Sequence, residues 1–399
     1  MAYERRVIAL LTYRWQVYSS LHSRSCAGHK SELEQTREDE RFSQFFSDRR
    51  GGRFQKMHRT SSKRSTIAEI AAQAGVSMPT VSRVLNGRPD VAPATRARIE
   101  KIIEENGYIR NGAAKGLRKG RSGIIDLLVP GLDNPYVTEI VRGVEEALER
   151  TDLRFALSFT QDQALGERQW LKKIANSATE GAVLVLAHGQ SSRLDELRQR
   201  GISFVVVDHR GELGPDVPSV GATNWAGGRV AVEYLLSLGH RRIAMIAGPA
   251  SLRCSLDRIA GYRAALEAAG IPIDPELIRP GDFRLQSGYI QTSALLALPD
   301  PPTAIFAGND LQAMGAYKAL YLRNIHVPER MSVIGFDDIP FTTIVSPSLT
   351  SVRQPLFDMG RVATTMLLRL IAGEQLDSSR VELPTTLITR ESCASPPSP

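Results

Sequence analysis

TIAEIAAQAGVSMPTVSRVLN, residues 66–86, is the stretch on which the reading of the chain turns. Thr66 and Glu69 have the spacing of a capping box, a hydroxyl acceptor for a free amide with a carboxylate three residues on. Ile67, Ile70, Ala71 and Ala74 then share one face of a short helix, and Gly75 ends it and supplies a turn. Ser77 is placed to cap a second helix whose first turn tolerates Pro79. Val81, Val84 and Leu85 fall on its buried face, which leaves Met78, Pro79, Ser82 and Arg83 pointing outward. A third pattern over 93–106 turns Ile99, Ile102 and Ile103 inward and stops at Gly107. Three short helices around a glycine turn predict a compact helix-turn-helix domain.

Charge is unevenly spread around this stretch. The 399 residues carry a formal charge of +7, but residues 1–122 hold 24 Lys+Arg against 12 Asp+Glu, and the rest hold 26 against 31. A basic front on a mildly acidic body implies a polyanion-binding module joined to a second function. Hydrophobic residues at 42% and charged ones at 23% allow a sizeable core, and the length suits two or three domains. Cys26, Cys254 and Cys393 are scattered, without a CxxC or Cys/His cluster, so neither a disulfide framework nor a metal site is expected. The dispersed histidines and the lack of a GxxxxGK[ST] phosphate loop leave no catalytic set, and neither an enzyme nor a cofactor is expected. The apolar run at 7–11 follows Glu4 and is too short for a signal peptide, and no run nears the roughly 18 apolar residues of a membrane helix. The reading is of a reduced, cytoplasmic protein.

Taken in order, residues 1–62 are rich in Arg, Ser and Gln without periodicity. They read either as a disordered basic arm or as a start-site artefact ahead of Met57. Residues 63–109 form the helix-turn-helix domain and 110–121 a linker whose Gly112 and Gly116 make a helix there marginal alone. Residues 122–391 form an α/β core, and 392–399 a tail expected to fray. In the core, strand runs at 123–129, 155–159, 181–186, 204–208, 243–247, 304–307 and 331–336 alternate with helical runs such as 136–149, 229–238, 258–269 and 311–323. Such alternation predicts mainly parallel sheets with helices on both faces, and its length favours two subdomains.

These residues resemble the LacI/GalR family of transcription regulators. The marks are the run at 66–87, RAR at 96–98 with NGYI at 106–109, the hinge AKGL at 114–117, GHRRIAMIAGP at 239–249, RIAGY at 258–262, NDLQAMG at 309–315 and VIGFDD at 333–338. Several independent motifs in one order over residues 65–391 make the resemblance specific. It implies a homodimer on a near-palindromic DNA operator, with the helix at 77–86 in the major groove and paired hinge helices in the minor groove. It also implies a core of two periplasmic-binding-protein-like subdomains with a small effector in the cleft, and no enzymatic activity.

For DNA, Arg83 is the leading base reader, since a guanidinium pairs bidentately with guanine. Met78 and Pro79 offer only apolar contact, Ser77, Thr80 and Ser82 suit phosphate, and Asn86 suits either. In the hinge, the resemblance makes Leu117 a wedge between base pairs, with Lys115 and Arg118 adding charge. For the effector, Arg258 and Asp337 suit the vicinal hydroxyls of a sugar and Asn309 adds an amide. Phe283 is expected to stack on a pyranose face, Tyr136 to line the mouth, and Asp208 to point into the crevice at a strand end. Asp310 and Asp338 read as structural neighbours, and Cys254 as a loop residue near the ligand. The expected function is a DNA-binding repressor controlled by a mono- or oligosaccharide. A purine-responsive regulator is the alternative, and a sugar-binding transport protein a more distant one.

Overall fold

The computed structural model describes residues 65–108 apart from Asn86, and residues 122–397 apart from 161–169, 173, 175–178 and 189–191. The chain divides into two compact units, Met1–Ile109 and Arg110–Pro399. In the first, α1 (Ile67–Ala74), α2 (Met78–Leu85) and α3 (Pro93–Glu105) enclose Ile70, Ala71, Ala74, Val81, Val84, Val91 and Ile99. Both halves of the capping box form: the Glu69 amide donates to Thr66 Oγ1 (3.3 Å) and the Thr66 amide to Glu69 Oε2 (2.8 Å). Gly75 sits at φ 64°, a left-handed conformation that turns the chain out of α1 without a Cβ clash. Asn106 closes the domain by donating to Gln73 Oε1 and to the Ile102 carbonyl, both at 2.8 Å, which ties the end of α3 to α1.

The second unit begins with β1 (Ile124–Val129), α4 (Pro135–Leu148), β2 (Arg154–Phe159), β3 (Gly181–His188), α5 (Ser192–Gln199), β4 (Ser203–Arg210) and β5 (Ser219–Ala222). It continues through α6 (Asn224–Ser237), β6 (Ile243–Ile246), α7 (Arg253–Ala268), β7 (Ile278–Arg279), α8 (Leu285–Leu295), β8 (Ala304–Ala307) and α9 (Asp310–Tyr321). It ends with β9 (Ser332–Asp337), β10 (Thr350–Arg353), α10 (Leu356–Ile371), β11 (Arg380–Leu383) and β12 (Thr386–Ile388). Two six-stranded sheets result, in the orders β11-β5-β4-β3-β1-β2 and β12-β10-β9-β8-β6-β7. All pairings are parallel except β10 with β12, as the nearly continuous apolar runs of β4 and β9 require of strands covered on both faces.

The chain passes between the sheets three times: from β5 into α6, from β10 into α10, and from β11 into β12. Two of these passages are stitched together, because the Thr223 amide donates to the Leu383 carbonyl (3.0 Å) and the Thr385 amide to Thr223 Oγ1 (2.9 Å). A cavity can therefore open between the sheets, its walls held by these hinges and by bonds from Arg210 and the Gly211 amide to Ser251 (2.9 and 3.1 Å).

Two helices begin earlier than their apolar periodicity shows, α6 at Asn224 rather than 229 and α7 at Arg253 rather than 258. Glycines in α6 hide its first turn from a propensity reading, but packing demands them. A Cβ on Gly228 would lie 2.5 Å from the Arg258 carbonyl oxygen, and one on Gly261 2.2 Å from that of Trp225. Helix-to-helix approach at this distance outweighs the roughly 1 kcal/mol helix cost of each glycine. The tail expected to fray is instead bonded to the core through residue 394. Ser392 is fully buried and donates to the Val333 carbonyl (2.6 Å), and His240 bonds the Ala394 carbonyl (2.9 Å). Its small residues fit against β9, which composition alone does not reveal.

Candidate functional site

On the head, α2 presents the outward set read from its sequence. Met78 is 52% exposed and the Arg83 side chain 57%, while Val81 and Val84 are buried. Ser77 Oγ accepts from the Thr80 amide (3.4 Å) and lies 2.9 Å from Thr80 Oγ1, so both hydroxyls already serve the start of the helix. Arg83 makes a loose, exposed ion pair with Asp90 at 3.6 Å, which leaves the guanidinium free to exchange partners. Residues 65–108 hold 5 Lys+Arg and 5 Asp+Glu, so the head itself is neutral. Residues 109–121 hold 5 Lys+Arg and no acid, so the basic surplus lies in the flanking segments. Asn86, Lys115, Leu117 and Arg118 lie outside the described residues.

In the core, one cavity brings together all six residues expected to meet an effector: Tyr136, Asp208, Arg258, Phe283, Asn309 and Asp337. Tyr136 and Asp208 come from the first sheet's layers. Asn134 caps α4 and holds the Tyr136 amide (3.0 Å), and the Tyr136 hydroxyl donates to Asp208 Oδ2 at 2.6 Å. Burial, with Asp208 beside it, pushes the Tyr136 phenol well above its ordinary pKa, so it remains a donor. Burial raises Asp208 as well, opposed by this hydrogen bond and by Arg258.

The other four residues belong to the second sheet's layers. Arg258, in the middle of α7, donates through Nε to Asn224 Oδ1 (2.9 Å) and through Nη1 to the Gly308 carbonyl (2.6 Å). Its guanidinium lies 3.6 Å from the centroid of the Phe336 ring, with Nη2 3.7 Å from Asp337 Oδ1. This side chain is fixed on every side but the cavity. Asp337 ends β9, and Gln354 Nε2 donates to its Oδ1 at 2.7 Å. Desolvation pushes the Asp337 carboxyl up to about 6, with Arg258 and Gln354 opposing. Asn309 is committed more fully than expected: its Oδ1 caps α9 through the Gln312 amide (3.0 Å) and its Nδ2 holds the Phe283 carbonyl (3.0 Å). It shapes the wall that carries Phe283 as much as it offers an amide.

Leu186, Asp208, Phe283 and Asp337 all have positive φ, at 56°, 45°, 64° and 109°, and all line this cavity. Non-glycine residues held in that region are strained by about 1–3 kcal/mol each, and such strain concentrates where geometry serves binding. Asp310 and Asp338 face elsewhere. Asp310 accepts from Ser351 Oγ (2.5 Å) and the Ile339 amide (2.8 Å), and Asp338 pairs with Arg353 and Arg390, both at 2.7 Å. Cys254 does line the cavity, but from the first turn of α7 rather than from a loop. Sequence reading passed over Asn224, Phe336 and Gln354; only the FDD run at 336–338 marked the neighbourhood of one of them. Among the described residues no group of His, Cys, Asp or Glu is arranged to hold a metal, and no helix is long and apolar enough to cross a membrane.

A helix-turn-helix head joined to a two-sheet core with a buried polar cavity defines a ligand-responsive DNA-binding regulator. Residues 66–111 match the family described as bacterial regulatory proteins, lacI family, and residues 232–393 match the periplasmic binding protein-like domain. Catabolite control protein A of Priestia megaterium is 32% identical, across 82% of this chain and 98% of that protein. The transcriptional regulator CelR of Thermobifida fusca is 35% identical, across 83% and 98%. Among solved structures, a CelR–cellobiose complex aligns with a TM-score of 0.64 at 34% identity, covering 82% of this chain and all of that one. The lac repressor dimer bound to operator and the anti-inducer ONPF aligns at 0.72 with 27% identity, covering 83% and all of that chain. The protein belongs to the lacI family of bacterial transcriptional regulators. It is a regulator and not an enzyme.

Proposed function

We propose that this protein is a cytoplasmic homodimeric repressor that holds a near-palindromic operator and releases it when a sugar occupies the core cavity. One observation carries the reading: a single buried cavity draws Tyr136 and Asp208 from one sheet's layers and Arg258 and Asp337 from the other's. A ligand bridging these groups changes the angle between subdomains joined by three chain crossings and a few bonds such as that from Arg210 to Ser251 (2.9 Å). Planar, charge-bearing pairs suited to vicinal hydroxyls, with Phe283 alongside, favour a sugar over an apolar ligand. The cellobiose-bound relative supports the same class.

In this reading α2 lies in the major groove, with Arg83 on base edges, Met78 and Pro79 in apolar contact, and Ser77, Thr80 and Ser82 near phosphates. The segment 110–121 serves as a hinge whose Leu117 enters the minor groove, with Lys115, Arg118 and Asn86 adding contacts. Dimerisation through the core has support in an exposed apolar set: Tyr321 and Leu322 at the end of α9 are 80% and 58% exposed, and Ile344 is 73% exposed. The Tyr317 hydroxyl donates to the Pro347 carbonyl (3.1 Å), which sets the 340–347 segment beside α9. The lac repressor structure that the chain resembles is likewise a dimer.

The test is a gel shift with a fragment covering the protein's own promoter and neighbouring genes, with and without a panel of sugars. A shifted band that one sugar abolishes is the expected result. No shift at low salt sinks the repressor reading, and a shift that purines but no sugar relieve assigns the cavity to the alternative ligand class.

A further inference from the structure

We propose that Asp310 and Ser351 are positioning residues of the effector site: they hold the two backbone amides that follow Asp337, and so aim its carboxylate into the cavity. The proposal rests on the reading of that cavity as an effector site and adds to it two residues that do not line it.

The need for such a hold lies in β9. Along this strand Ile334 and Phe336 pack toward α6 and α7. Gly335 faces α9, where a Cβ would lie 2.1 Å from Asp310 Oδ1. Simple alternation would put Asp337 on the face of Gly335, beside Asp310. Its Oδ1 lies instead 3.7 Å from Arg258 Nη2 on α7. The chain reaches this position by leaving the strand conformation, with φ at 109° for Asp337 and 57° for Asp338. Two consecutive non-glycine residues in the left-handed region persist only where their surroundings fix them.

The bonds that fix this corner end on one carboxylate. The Ile339 amide donates to Asp310 Oδ2 (2.8 Å), and the Asp338 amide donates to Ser351 Oγ (3.2 Å). Ser351 Oγ in turn donates to Asp310 Oδ1 (2.5 Å). Both residues are fully buried. Their places follow from the fold. β10 pairs with β9 so that Ser351 stands opposite Gly335, and the missing side chain there admits Asp310 from the first turn of α9. That helix does not depend on Asp310 for its start, because Asn309 Oδ1 already accepts the Gln312 amide. Burial, and after it the nearby Asp337, push the Asp310 carboxyl well above the ordinary carboxylate range. A carboxyl group kept in so unfavourable a place marks a geometry that serves binding.

The titratable groups facing Asp337 are Arg258 and Cys254 from α7, Asp208 from β4, Tyr136 from α4 and Asp310 from α9. Substituting Ser351 alters none of them, so its effect on binding reports on the corner. Isothermal titration of the full-length protein with glucose, xylose, ribose and cellobiose, on either side of pH 6, identifies the sugar that wild type binds. For that sugar Ser351→Ala should raise the Kd about tenfold with the number of sites unchanged, as expected within one hydrogen-bonded network. Asp310→Asn keeps an acceptor for the Ile339 amide but none for the Ser351 hydroxyl, and should raise it by a smaller factor. In an Asp337→Asn background Ser351→Ala should cost less than about twofold. In the otherwise wild-type protein it should flatten the fall in affinity below pH 6. A residue serving stability alone would lower the number of folded sites and leave the Kd and its pH profile as they were. Crystal structures of the two variants should show Asp337 back at negative φ, its carboxylate withdrawn from Arg258. If Ser351→Ala does not fold, Asp310→Asn carries the same comparisons. Unchanged affinity, an equal loss in the Asp337→Asn background, or a corner that keeps its positive φ overturns the proposal and leaves the sugar reading intact. Should no sugar bind wild type, the sugar reading falls, and the crystal structures decide on the corner by themselves.

Discussion

The head and the effector cavity solve opposite problems. In the head, polar partners lie near one another in sequence: Thr66 with Glu69, Ser77 with Thr80, Arg83 with Asp90. Its candidate base reader is exposed and loosely paired, ready to leave one carboxylate for a guanine. In the cavity the partners are far apart, 72 residues from Tyr136 to Asp208 and 50 from Arg258 to Gly308. Its charges are buried and its backbone is strained at four lining positions. An element that must search DNA keeps its charges mobile, whereas one that must register a small ligand fixes them in advance.

Breaking the cavity should have the largest effect. Arg258→Ala removes a buried guanidinium that holds Asn224, Gly308 and Asp337. Effector affinity should fall on the order of a hundredfold or more and the core should lose about 3–5 kcal/mol of stability. Operator binding in the absence of effector should persist wherever the variant stays folded, and gel shift beside calorimetry reads both. Arg83→Ala should do the reverse, weakening the operator by about 1–3 kcal/mol while calorimetry shows unchanged effector affinity.

A pH titration sharpens the contrast further. Asp337 titrates near 6 because burial raises it, and a hydroxyl-binding role needs the ionised form. Effector affinity should therefore hold above pH 6 and fall below it, by at most about tenfold per pH unit, with proton release on binding in that range. Calorimetry in buffers of different ionisation enthalpy measures this. Asp337→Asn should flatten the profile. The smallest effect belongs to Asp90→Ala, since its exposed pair with Arg83 contributes less than about 0.5 kcal/mol to stability in thermal melts.

The same contrast explains what could be read from sequence. The head was legible almost completely, because a capping box, a left-handed glycine and helical periodicity are local signals. In the core, Asp208, Arg258, Asn309 and Asp337 were legible as polar residues at strand ends and within motifs. Their settings were not. That Phe336 lies under Arg258, that Gln354 donates to Asp337, and that Asn309 is spent on a helix cap depend on where β9, β10 and α9 meet. No spacing along the chain encodes that meeting. The glycine-bearing start of α6 and the short strand Ser219–Ala222 escaped because close packing, rather than propensity, makes them what they are.

The cavity and the head should be two ends of one equilibrium, which linkage between their ligands measures. Operator affinity would be measured with and without saturating effector, and effector affinity with and without saturating operator, on the same preparation at one salt concentration. The two ratios should agree. Effector binding that proceeds at full strength with no change in operator affinity, and operator that leaves effector affinity untouched, would contradict it.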